Sequence, residues 1–268
     1  MKEALLATLP EIILAVGAMS LMMCGVFTQN NPNKKDRQAN SVKALKIVTL
    51  SSNFFIILAL ASVFLVQNHP GTHYNDLFVI DGFAIYIKLF ILFCGGTVLL
   101  ISNDYLMRYS KTIGFEYPLL ILLSLCGMMI MVSAYDMLTL YMGLELQSLS
   151  LYVLATIRRD SERSSEAGIK YFVLGALASG ILLYGISLIY GFSGTTNFGN
   201  LQTVLANSDQ LNNGLIVGLI MVIVGLAFKI SAAPFHMWTP DVYQGVPTPV
   251  TAYFAIVPKL AAAALLVR

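Results

Sequence analysis

The chain has 268 residues, 57% of them hydrophobic and only 11% charged, where a soluble domain carries roughly a quarter. Side chains this apolar cannot be hidden inside a soluble fold of this size, so lipid must be the solvent for much of the chain. A net charge of +2 is too small to suggest nucleic acid as a partner.

In chain order, the first apolar run covers 4–27, with Pro10 and Glu11 near its start. It is long enough to span a bilayer and too long for the apolar part of a cleavable signal. Further runs of spanning length follow at 44–66, 79–102, 117–134, 137–157, 167–191, 214–238 and 248–268. The fourth and fifth are separated only by a tight turn near Tyr135 and Asp136. All eight are expected to be helices, because open strands leave backbone groups unpaired in lipid and the alternation of a membrane barrel is absent. The predicted fold is therefore an all-α polytopic membrane bundle.

Loop charges agree with this count. Lys34, Lys35, Arg37 and Lys43 follow the first span, Arg108 and Lys111 the third, and Arg158, Arg159 and Arg163 the fifth. The loops after spans two, four and six hold no Lys or Arg. Eight spans put every basic loop on one side, which the positive-inside rule assigns to the cytoplasm or matrix, with the N-terminus opposite. Cys24, Cys94 and Cys126 sit singly in apolar runs and read as small apolar filler.

Ionisable groups at membrane depth are costly and usually functional. Glu145 lies inside the fifth span, where helical spacing puts Tyr141, Glu145, Ser148 and Tyr152 on one face. Its role is functional or, alternatively, that of a structural carboxyl hydrogen-bonded in the bundle. Lys229 lies in the seventh span, five residues before Pro234. Proline removes an amide donor and clashes with the preceding turn, so this helix should break there. A broken helix beside a buried lysine is the arrangement of transporter ion sites; the alternative is a lysine paired for packing.

Lys259 follows Pro258 in the last span and is either a mid-membrane charge or a snorkelling one. His236, after the break, is a proton relay or a ring satisfied by freed carbonyls. Lys170 has Glu166 one turn before it, the spacing of a surface pair. Lys88 needs an acidic neighbour that the sequence does not name. Gly175 with Ser179, and Ala176 with Gly180, read as helix-packing pairs. No phosphate loop, metal-spaced His–Cys cluster or nucleophile elbow is present.

The stretch KISAAPFHMWTPDVYQGVPTPVTAY at 229–253 closely resembles the antiporter-like, proton-conducting membrane subunits of respiratory complex I, the NADH:quinone oxidoreductase. GLELQSL at 143–149 and EAGIKYFVLGA at 166–176 resemble the N-type members, with Leu144 where the L and M types carry Trp. The resemblance implies two inverted repeats of five helices, each with a broken helix, in a bundle of about fourteen. Residues 1–116 would then hold helices one to three, and 117–268 the first repeat, helices four to eight. Glu145, Lys229 and Lys259 match the family's proton-carrying glutamate and lysines, with His236 as the weakest site candidate. The second repeat is missing, so the chain reads as the N-terminal part of a longer protein.

The implied function is proton translocation coupled to electron transfer from NADH to quinone on other subunits. The chain offers no ligand set for iron–sulfur clusters, flavin or haem, so NAD, FMN, iron–sulfur clusters and quinone are expected on partner subunits. The expected partners are the other membrane subunits, lipid and protons, in the plasma membrane of a bacterium more than in a mitochondrion. Two readings compete with it. One is a subunit of a multisubunit sodium/proton antiporter, and the other is a structural subunit whose charges only pack helices.

Overall fold

The computed structural model describes residues 2–29, 37–108, 113–206 and 212–268. Its helices are α1 (Lys2–Ala7), α2 (Leu9–Gln29), α3 (Arg37–Val66), α4 (Gly82–Arg108), α5 (Glu116–Val132), α6 (Met137–Ala155), α7 (Glu162–Ser193), α8 (Phe198–Ala206), α9 (Asn213–Ile230), α10 (Trp238–Gly245) and α11 (Thr248–Val267). Among the described residues, seven are long and apolar enough to cross a bilayer: α2, α3, α4, α6, α7, α9 and α11. With α5 they make the eight expected spans. Lys34, Lys35 and Lys111, three of the basic loop residues, lie outside the described residues, as does the side chain of Arg37.

α5 has only 17 residues, about 25 Å of helix. It needs no lipid-facing length, because α2, α3, α4, α6 and α11 all pack against it. Most of its side chains are buried, which is why its sequence is apolar all round rather than striped. The outer helices turn large apolar side chains such as Met19, Leu50, Ile101 and Leu177 outward, toward the lipid that the composition requires.

Three features were not expected from the sequence. The first apolar run breaks at Thr8 into α1 and α2. Between α3 and α4 a small antiparallel hairpin pairs β1 (Gly71–His73) with β2 (Phe78–Ile80). It is tied to the α5–α6 turn, where the Val79 amide donates to the Ser133 carbonyl and the Tyr135 amide to that of Leu77. α8 is a short helix in what reads as a plain loop. Its first residue also joins that turn, the Phe198 amide donating to the Tyr135 carbonyl.

Local chemistry fixes the helix ends. Asp136 caps α6 by accepting from the Leu138 and Thr139 amides, and it also accepts from the Thr196 hydroxyl. Ser161 caps α7, and Gly194 ends it in the left-handed region at φ 73°. The up-and-down path leaves Lys43, Arg108, Arg158, Arg159 and Arg163 at the end opposite the hairpin. Glu116, Thr156 and Arg159, from the ends of α5 and α6, line one cleft there.

The small-residue pairs of α7 divide. Gly175 is buried against the Tyr152 ring and Ser179 is buried beside it. Ala176 and Gly180 face outward, and nothing among the described residues lies within 4 Å of a Cβ placed on Gly180. Among the described residues, only the first pair is a packing seam.

Candidate functional site

α9 stops one residue after Lys229. Ser231 adopts φ 59° and turns the chain out of the helix, a left-handed conformation uncommon for a side-chain-bearing residue. The amides of Ser231 and Ala232 return to the carbonyls of Phe228 and Ala227. Residues 231–237 are non-helical before α10 resumes. The break thus falls where Pro234 predicts it, and the span read as 214–238 is α9 followed by a non-helical stretch, with α10 starting at its last residue.

The Trp238 indole donates to the Phe228 carbonyl at 3.1 Å, an acceptor at the broken end of α9. Its ring stacks on Tyr171 of α7 at 4.7 Å between centroids and 20° between planes. Trp238 therefore clamps the two halves of the broken helix together and to α7. The sequence offers His236 as a partner for freed carbonyls. His236 is instead exposed, and among the described residues its ring has no hydrogen-bond partner. The single tryptophan of the chain, beside a proline break, was the signal for this role.

The Lys229 side chain is buried, and its Nζ donates to Ser148 Oγ at 2.7 Å. The Ser148 hydroxyl in turn donates to the Leu144 carbonyl at 2.6 Å. That bond turns the oxygen lone pairs of Ser148 away from its own helix and toward the lysine. The Tyr152 ring lies 5.7 Å from the ammonium, within reach of a cation–π attraction. Two members of the predicted α6 stripe, Ser148 and Tyr152, therefore meet Lys229 directly.

Glu145 stands one turn from Ser148 on the same helix. Its charge reaches Lys229 electrostatically, but among the described residues the two are not within 4.0 Å. Glu145 Oε1 is buried with no hydrogen-bond partner among those residues. An unpaired carboxylate oxygen near an ammonium that is bonded elsewhere is a separated charge pair. Burying charges costs several kcal/mol each, so small changes in their spacing carry large energies.

Lys259 lies in α11, which runs through Pro258 without a break. It is half-buried, and its ammonium sits 5.3 Å from the Tyr243 ring of α10. Among the described residues it has no ion pair or hydrogen bond. Lys170 makes its expected pair with Glu166 at 2.8 Å, and a second with Asp241 of α10 at 2.7 Å. A polar cleft of about 360 Å³ opens beside these groups and Arg163. Lys88, left without a named partner by the sequence, meets Glu11 at 2.6 Å.

Ser148→Ala removes the hydrogen bond that holds Lys229 and leaves a buried ammonium without an acceptor. A hydrogen bond to a charged group contributes about 1.5–3 kcal/mol, so this variant should be less stable by about that amount. Ser148→Thr keeps the hydroxyl and should retain most of that stability. Unfolding followed in mild detergent measures both.

Comparison with known proteins shows the family. Residues 134–268 match the family described as NADH:quinone oxidoreductase/Mrp antiporter, transmembrane. Over 263 residues the chain is 53% identical to NADH-quinone oxidoreductase subunit N of Parvibaculum lavamentivorans, covering 98% of this chain and 52% of that protein. The chain thus spans about half the length of the curated relatives it matches. Respiratory complex I from Thermus thermophilus with bound Aureothin contains a chain of similar structure, with TM-score 0.76 and 32% identity, covering 96% of this chain and 52% of that one. The Mrp complex from Dietzia sp. DQ12-45-1b matches in fold, with TM-score 0.72 and 23% identity over 95% of this chain and 46% of that one. The chain belongs to the NADH:quinone oxidoreductase/Mrp antiporter transmembrane family.

Proposed function

We propose that this chain is part of a proton-translocating membrane subunit of a NADH:quinone oxidoreductase. The observation that carries the reading is the buried Lys229, held by Ser148 at a helix break with Glu145 unpaired nearby. The relative from Parvibaculum lavamentivorans, named as a subunit of that enzyme, supports it. Electron transfer from NADH to quinone takes place on partner subunits, which carry NAD, FMN, the iron–sulfur clusters and the quinone. Residues 117–268 act as the first antiporter-like repeat and 1–116 as the helices that flank it.

In this reading Glu145 approaches Lys229 and stabilises its ammonium by charge pairing. When Glu145 withdraws, the lysine is left charged in a low-dielectric site and gives up its proton. The proton passes toward Lys259, with His236 as the weaker candidate for a relay. Carrying one charge across the membrane costs about 2.3 kcal/mol per 100 mV, and pairing of buried charges supplies energies of that size. The basic end of the bundle faces the cytoplasm of a bacterium and the hairpin end, with the N-terminus, the periplasm.

The family description also covers Mrp antiporters, so the test must separate the two. Membrane vesicles carrying the full-length protein in its complex should move protons when NADH is added, with quinone present and without sodium. Sodium-dependent proton movement in the absence of any redox donor would overturn the proposal in favour of an antiporter.

A further inference from the structure

The first helices hold a charge site of their own, outside residues 134–268. Glu11 sits in the first turn of α2 and Lys88 in the second turn of α4, 77 positions apart in sequence. Their side chains meet at 2.6 Å and are only 5% and 3% exposed. The Phe78 ring of β2 covers the ammonium at 4.7 Å. The Cys126 thiol of α5 donates to the Glu11 backbone carbonyl at 3.6 Å. Lys88 and Cys126 are the titratable groups that face Glu11 from α4 and α5. Asp81, at the same end, is held separately by Arg268.

The pair is incomplete on one side. Lys88 occupies Glu11 Oε1, while Oε2 is buried with no hydrogen-bond partner among the described residues. A carboxylate oxygen carries two lone pairs and is costly to bury with nothing to accept from. As a packing device the arrangement is poor, because two apolar side chains of similar volume fill such a space at equal or lower cost. An ionisable pair at membrane depth is a functional site by default.

We propose that the Glu11–Lys88 pair is a second proton-binding site of this chain, with Glu11 Oε2 as the atom that takes the proton. On uptake an O–H bond forms at Oε2 while Lys88 keeps its bond to Oε1, and the pair changes from net neutral to +1. The proton comes from the aqueous phase at the hairpin end, which the pair underlies by one to two helical turns. The change is felt across α5. Cys126 touches Glu11, and its neighbour Gly127 lies against Gly143 and Gln147, which flank Glu145 in α6.

The site stands independently of the chemistry proposed for the repeat, so its test reads proton binding at rest. Infrared difference spectra between acidic and alkaline buffer are recorded on the complex containing the full-length protein. The wild type should show a carboxyl C=O band that is lost in Glu11→Gln. Because a single change leaves the lysine unpaired and can impair folding, Glu11→Leu with Lys88→Met is measured beside it. That variant fills the space with apolar atoms and should assemble normally and lack the band. Superimposable wild-type and variant spectra would overturn the proposal and leave the pair as a packing contact. Loss of the band upholds the site even where Lys229→Ala pumps normally, a result that would defeat the proposed function alone.

Discussion

Replacing Lys229 by alanine in the full-length protein is expected to lower NADH-driven proton pumping about 100-fold or more, with normal assembly. The magnitude follows from removing the group that gives and takes the proton, a role that typically contributes about 10²–10⁴-fold. Assembly should survive because the local scaffold does not depend on the ammonium. The Ser148 hydroxyl keeps its bond to the Leu144 carbonyl, and Trp238 keeps its bond to that of Phe228.

Lys229→Arg sharpens the test. It restores a positive charge and a donor for Ser148, but a guanidinium does not release its proton in proteins. If the lysine only packs helices, arginine should rescue pumping. If the lysine must give up a proton, arginine should assemble well and pump as poorly as alanine. Wild-type proton-to-electron stoichiometry in both variants would remove Lys229 from the mechanism.

The spans were legible because lipid permits few alternatives: an apolar run of about twenty residues has to be a helix. The break was legible from Pro234, since proline acts through its own ring and not through distant contacts. What the sequence hid were the contacts between distant segments. Nothing in the local pattern joins Glu11 to Lys88 or Trp238 to the Phe228 carbonyl, because each pairing depends on how helices lie side by side. The α6 stripe was visible as a periodicity, but not the division of labour along it. Ser148 and Tyr152 hold the lysine while Glu145 stands off. The hairpin and α8 were missed because runs of three and nine residues between long helices carry too little periodic signal.

Gly143→Val is expected to prevent assembly altogether. A Cβ on Gly143 would stand 2.7 Å from the Met131 amide nitrogen and 2.8 Å from the Gly127 carbonyl oxygen. One on Gly127 would meet the Gln147 nitrogen and the Gly143 oxygen at 2.6 Å. The two helices therefore touch backbone to backbone, a closeness that only glycine on both sides allows. Overpacking usually costs about 1–3 kcal/mol because side chains can shift. Backbone atoms of two helices cannot, so α5 and α6 must move apart as bodies. Since α5 is the helix on which α2, α3, α4, α6 and α11 all pack, that movement reaches most of the bundle. Gly180→Val, on the outward face of α7, should leave assembly unchanged, as measured by the amount of intact complex recovered in mild detergent. Gly143→Ala is the more informative neighbour. Its smaller displacement should allow some complex to form, with Glu145, two residues on, shifted relative to Lys229. Its pumping per assembled complex should then fall further than its yield. Equal losses in both would mean that the glycine contact sets stability alone and not the spacing of the charges.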